Sequence, residues 1–258
     1  MAKPWVKFPH ADPAYRYEGA ALKKAWPRLH KGDCEPYPKD GAVADAWRHY
    51  HAGDFQTAVR AGTEAGSAGI NAAVKAQCVY AHYLERDAKA KLVHFDEAAK
   101  RAEARRHEAP KDANAHYLAA YALGRYGQGI SVAKALAQGM GGRIRDALER
   151  ALVLEPKHAE AATAFGAYQA EVINKVGALV AGLTYGAKKD AALAHFQRAA
   201  KLFPESPIVH IEHANGLLLL FGDARVAEAT KLYEAAAALT PADAMEKLDA
   251  MHAKDELA

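Results

Sequence analysis

One spacing recurs along this chain and restricts its fold more than any other feature. In AALAHFQRAAKLFP, Ala192, Phe196, Ala199 and Pro204 are spaced 4, 3 and 5 residues apart. In EATKLYEAAAALTP the same intervals separate Ala229, Tyr233, Ala236 and Pro241, and in RIRDALERALVLEP they separate Ile144, Leu148, Ala151 and Pro156. DEAAKRAEARRHEAP keeps Ala98, Ala102 and Pro110 but carries Arg105 in place of the second small residue. GDFQTA, residues 53–58, has the opening of such a helix without the closing proline.

Residues three and four apart share one face of an α-helix. Small residues there let a neighbouring helix come close, and the ring or leucine between them fills the gap. Proline cannot continue the backbone ladder, so it ends one unit before the next begins. Period-two runs of Val, Ile and Thr are scarce, so the chain reads as all-α, a stack of helix pairs.

This small–aromatic–small–proline pattern resembles the tetratricopeptide repeat (TPR) family over about residues 42–241. AHYLAAYALGRY (115–126) and EHANGLLLLFGD (212–223) match its first-helix half more loosely. The resemblance implies a right-handed helical solenoid of about five helix pairs, two with elongated helices, and a C-terminal capping helix. It also implies a concave surface built on the first helix of each pair. On it would lie Asn114, Tyr117, Tyr121 and Arg125 from one repeat, Thr163 and Glu171 from the next, and His210 and His213 from the last.

The family's repeat is 34 residues long. Here the prolines lie 37 apart at 204–241 but 46 apart at 110–156 and 48 at 156–204. The surplus falls in 127–142 and in INKVGALVAGLTYGAKKD, 173–190. The latter is no phosphate loop, because Leu183 and Thr184 follow the second glycine where that motif needs Lys and then Ser or Thr. Its apolar run, Val176 to Tyr185, is too short to span a bilayer. The expectation is therefore a prolonged first helix over 159–184, about 39 Å long, beside an equally long one over 113–139. On it Val172, Val176, Leu179 and Leu183 form one stripe. That stripe either packs on the neighbouring helix or supplies an apolar chamber or a subunit interface. Elongated repeats of this layout are similar to the regulator-of-microtubule-dynamics family and to the T component of TRAP-type transporters; LTYGAKKDAALAHFQRAAKL carries that likeness. This chain has no apolar membrane segment to accompany it.

Residues 1–40 hold six of the eleven prolines, with Trp5, Phe8, Tyr15, Tyr17, Trp26 and Tyr37. A disordered linker is poor in aromatics. The expectation is an ordered N-terminal arm over the first repeats with a short helix near 17–30, or alternatively a partner-binding motif there, then a repeat domain over 41–241 and a capping helix with its tail over 242–258. Thr240-Pro241-Ala242-Asp243 reads as the start of that last helix.

Acids and bases are interspersed and sum to +3, which speaks against nucleic acid as a partner. The opening residues carry prolines and charges where a signal peptide needs an apolar core. Cys34 and Cys78 form no metal or redox pair, and Asp33 and Glu35 beside Cys34 work against a reactive thiolate. These features point to the cytoplasm. His210 and His213 are three apart on a helix but lack a third ligand. No nucleophile elbow, kinase set or dinucleotide fingerprint is present. The sequence therefore reads as a non-enzymatic scaffold without cofactor or metal, binding a protein or peptide in its helical groove. The alternative is a carrier of an apolar, lipid-like molecule held between the long helices, and self-association through a small-residue face of Ala170, Gly177, Ala178 and Ala181 is compatible with either.

Overall fold

The computed structural model describes residues 5–258, apart from the side chain of Leu136. Every regular element among the described residues is helical. The chain divides into two compact units.

The first unit contains residues 5–30, 35–131 and 242–245. Its helices are α1 (Ala20–Leu29), α2 (Gly41–His51), α3 (Phe55–Glu64), α4 (Ile70–Tyr83), α5 (Ala88–Glu108) and α6 (Ala113–Gln128). Each of α2 to α5 packs on the next, and α4 also packs on α2 and α6. Carboxylates start three of these helices. Asp40, Asp87 and Asp112 accept a backbone N–H from the first turn of α2, α5 and α6. In α3 the ring position of the repeat is Gly62. A Cβ there would run into the backbone carbonyl of Gly69, so α3 and the turn before α4 touch main chain to main chain. The arm preceding α2 is ordered. Trp5 stacks on Tyr80 at 3.9 Å, Phe8 meets Phe55, and Trp26 meets Trp47 edge-on.

The second unit contains 31–34, 132–241 and 246–258. Its helices are α7 (Val132–Ala137), α8 (Met140–Leu154), α9 (Ala159–Val176), α10 (Ala178–Val180), α11 (Lys189–Leu202), α12 (Pro207–Phe221) and α13 (Val226–Ala238). The last helix, α14 (Ala244–Asp255), lends Ala253 to the core between α12 and α13, with Ile211, Ala214, Tyr233 and Ala236. The repeat pattern lies inside, as its spacing requires. Phe196 is 0% exposed, with Ala192 and Ala199 beside it, and Leu148 and Tyr233 occupy the same place in their own helices. The Phe196 ring sits against Gly166 of α9 and Gly216 of α12. Any side chain at either glycine would occupy the ring's space.

Two expectations are corrected. The extra segments are not continuations of one rod. α6 stops at Gln128 and a separate α7 follows. α9 stops at Val176 because Gly177 has φ 79° and ψ 153°, a backbone state that a residue with a Cβ rarely adopts. After it come the single turn α10 and a π turn over Ala181–Tyr185. The last helix also begins later than the proline suggests, at Ala244, because Asp243 is turned inward to a histidine rather than lying in a first turn.

Candidate functional site

α6 carries the most ordered array of binding-type side chains. Asp112 starts the helix: one carboxylate oxygen accepts the Ala115 N–H at 3.2 Å. The other accepts Arg105 Nη2 at 2.9 Å and Asn71 Nδ2 at 3.1 Å. Arg105, the charged residue in the repeat's small position, thus ties α5 to the start of α6. From there Tyr117, Tyr121 and Arg125 recur every four residues on one face. The two rings are parallel within 14°, with centroids 5.9 Å apart. The Arg125 guanidinium lies 5.5 Å above the Tyr121 ring, and its Nη1 donates to Gln128 Oε1 at 3.3 Å. A cation over a ring over a ring is held in register before any partner arrives.

Exposure divides the expected groove residues. Tyr121 and Arg125 are half-buried, whereas Asn114 and Tyr117 are buried in the first unit. Tyr117 therefore supports the array from beneath. In the second unit Thr163 is buried, and its hydroxyl donates to the Ala159 carbonyl one turn back, at 2.9 Å. Glu171 is half-buried and pairs with Lys175 at 3.6 Å. His213 stacks on Phe196 at 5.2 Å; burial pushes its imidazole below the ordinary value, with Glu228 opposing. Asn114, Tyr117 and Thr163 are thus core or supporting residues. A helical period shows which residues share a face, not how deeply a neighbour covers it.

The apolar stripe divides too. Val172 and Val176 pack against the core formed by Ile173, Ala181, Phe196 and Leu220. Leu179 and Leu183 are 76% and 82% exposed, so they line no enclosed chamber. The break at Gly177 turns them away from the stripe they would share on a continuous helix.

Two arrangements escaped the sequence reading. His116 Nε2 meets the Pro110 carbonyl at 3.1 Å, and His210 Nε2 meets the Pro204 carbonyl at 2.7 Å. A proline followed six residues later by histidine is thus a repeated tie in which the ring N–H caps the end of the preceding helix. The spacing was visible in PKDANAH and PESPIVH. The second arrangement is buried in the first unit. His51 Nδ1 lies 2.7 Å from Asp243 Oδ2, and His51 Nε2 lies 3.2 Å from His30 Nε2. A carboxylate only accepts, so His51 Nδ1 donates to Asp243, and one of the two imidazoles donates to the other through their Nε2 atoms. Asp243 and His51 are 192 residues apart in sequence, a separation at which no local signal exists. Trp26 stacks on His30 and Trp47 on His51, and both imidazoles are buried, so the chain of contacts acts as a fastening.

The two thiols are unreactive in kind. Burial, reinforced by Glu155, Asp33 and Glu160, pushes Cys34 up to about 11. Burial alone pushes Cys78 up to about 12, against the pull of Arg125. Among the described residues no group of three or more His, Cys, Asp or Glu is arranged to hold a metal ion. No described helix is long and apolar enough to cross a membrane.

No protein-family model matches the chain, and no curated protein matches it. Among solved structures it is similar to the crystal structure of TTC0263, a thermophilic TPR protein in Thermus thermophilus. That likeness has a TM-score of 0.57 at 15% sequence identity, over 83% of this chain and 97% of the other. The chain therefore has an all-α, TPR-like fold of paired helices.

Proposed function

We propose that this protein is a non-enzymatic interaction module that holds a protein or peptide partner in its helical groove, on the half-exposed face of α6, through Tyr121 and Arg125. The observation that carries this reading is the stacked Tyr117–Tyr121–Arg125 array. Tyrosine and arginine are the residue types that most often dominate binding energy at protein interfaces. Prior stacking lowers the entropy lost when they are immobilised. The array offers a ring face to an apolar or peptide group and a fixed cation to a carboxylate. The TPR-like fold supports the reading, since paired helices present side chains along regular faces.

The test is comparative capture from the native cell, using tagged wild type and the Tyr121→Ala/Arg125→Ala variant, with partners quantified by mass spectrometry. One or two hot-spot residues lost should weaken the specific partner by about tenfold or more. The urea midpoint should fall only modestly, by the equivalent of about 1 kcal/mol, because both side chains are half-buried rather than core. An unchanged set of partners would retire this face.

A further inference from the structure

Beyond that face, we infer that the turn between α9 and α11 is a docking tip for an anionic lipid surface. Among the described large apolar side chains, Leu183 and Leu179 are the two most exposed, at 82% and 76%. Val180 between them is 48% exposed. The other exposed apolar residues, such as Val6, Val93 and Val226, are dispersed along the sequence. Three exposed apolar residues within five positions form a patch, where isolated ones would need no explanation.

The tip is not loose at its base. Ala181 and Ala187 are buried, and the Ala187 N–H donates to the Ala181 carbonyl at 3.1 Å. The Lys188 N–H donates to Gln169 Oε1 at 3.1 Å. Lys189 Nζ donates to the Leu220 carbonyl at the end of α12, at 2.6 Å. On its other side the Tyr185 ring sits against Gly141 near the start of α8, where a Cβ would lie 2.5 Å away. Fixed backbone thus holds leucines in water, and the π turn over Ala181–Tyr185 is of a kind that recurs at functional sites.

Charge selects the partner. Residues 176–187, VGALVAGLTYGA, carry no charge, and they are collared by Lys175 on one side and Lys188–Lys189 on the other. The segment 132–145, which Tyr185 contacts at Gly141, adds Lys134, Arg143 and Arg145. Together 132–146 and 171–190 hold six basic residues against three acids, Asp146, Glu171 and Asp190, whereas the rest of the chain has 28 of each, so the chain's excess of +3 falls here. Carboxylates meet this collar on the helix bodies, Glu171 at Lys175 and Asp146 and Glu149 at Arg145. Apolar side chains at a tip, a tyrosine at the shoulder and lysines around the base suit entry into headgroups. The leucines reach the acyl boundary, the phenol stays at the interface and the exposed Lys188 ammonium meets phosphate or carboxylate.

Vesicle co-sedimentation of the full chain tests this. Vesicles of phosphatidylcholine alone are compared with vesicles of phosphatidylcholine and phosphatidylserine. Wild type should sediment with the anionic vesicles and be released as salt rises. Leu179→Ser/Leu183→Ser should weaken binding by on the order of a hundredfold. Lys188→Glu should weaken it by about thirtyfold, the effect of reversing one charge at an anionic surface. Both variants should keep the wild-type urea midpoint, because the altered side chains are exposed. Equal binding to neutral and anionic vesicles, or binding indifferent to the leucines, overturns the inference. So does a wild-type dimer in light scattering that the double serine variant makes monomeric, which would assign the tip to a second copy of the chain.

Discussion

Gly216→Ala should destabilise the protein although it improves the helix. Alanine is favoured over glycine in a helix interior by about 1 kcal/mol. At Gly216 that gain meets the Phe196 ring, which lies where the new methyl group would go. The ring has no room to retreat. It is fully buried, Gly166 of α9 approaches it with a would-be Cβ distance of 2.8 Å, and Ala170, Ala192 and Leu220 share its core. Overpacking of this kind costs about 1–3 kcal/mol, and a ring held from two helices belongs near the top of that range. The net loss should be about 2 kcal/mol. Gly124 is the control: it lies within α6 and a Cβ there would meet nothing within 4 Å. Gly124→Ala should therefore stabilise by up to about 1 kcal/mol. Urea denaturation followed by circular dichroism reads both, and the midpoints should move in opposite directions. Adding Phe196→Leu should recover part of the loss in Gly216→Ala, because a smaller side chain frees the space. If the two alanine variants shift the midpoint the same way, the ring does not decide the packing of α9, α11 and α12.

Stability should fall as pH drops below about 6.5, the ordinary imidazole value. Burial, aided by Arg198 at His195, lowers the pKa of both His195 and His213 in the folded protein. The unfolded chain then takes up protons that the folded one refuses, so stability is complete above that pH and declines towards the lowered folded values. Urea midpoints between pH 8 and pH 5 should show the decline, and His195→Gln/His213→Gln should reduce it, the half-buried His94 keeping a share; a midpoint that rises on acidification would contradict the assignment. Neither cysteine should react with a thiol reagent at pH 8 before unfolding. With pKa values of about 11 and about 12, at most roughly one thiol in a thousand is ionised there. Rapid labelling of Cys34 in the native protein would contradict its burial beside Glu155, Asp33 and Glu160.

Local chemistry written in the sequence determined the paired helices, because it acts over one or two turns. Ala192, Phe196 and Ala199 lie on one face by helical period alone, and Pro204 ends its helix whatever surrounds it. The broad location of the two extra segments also followed from counting between prolines. Tertiary structure decided what those faces meet. Tyr117 and Tyr121 share a face, yet one is buried and the other half-open. Val176 and Leu179 share a stripe on any continuous helix, yet the positive φ of Gly177 sends one to the core and the other to solvent. The His51–Asp243 bond joins residues from opposite ends of the chain, which only the folded backbone brings together. Periodicity is a property of neighbours in sequence, whereas burial depends on neighbours in space, and burial decides which side chains a partner could reach.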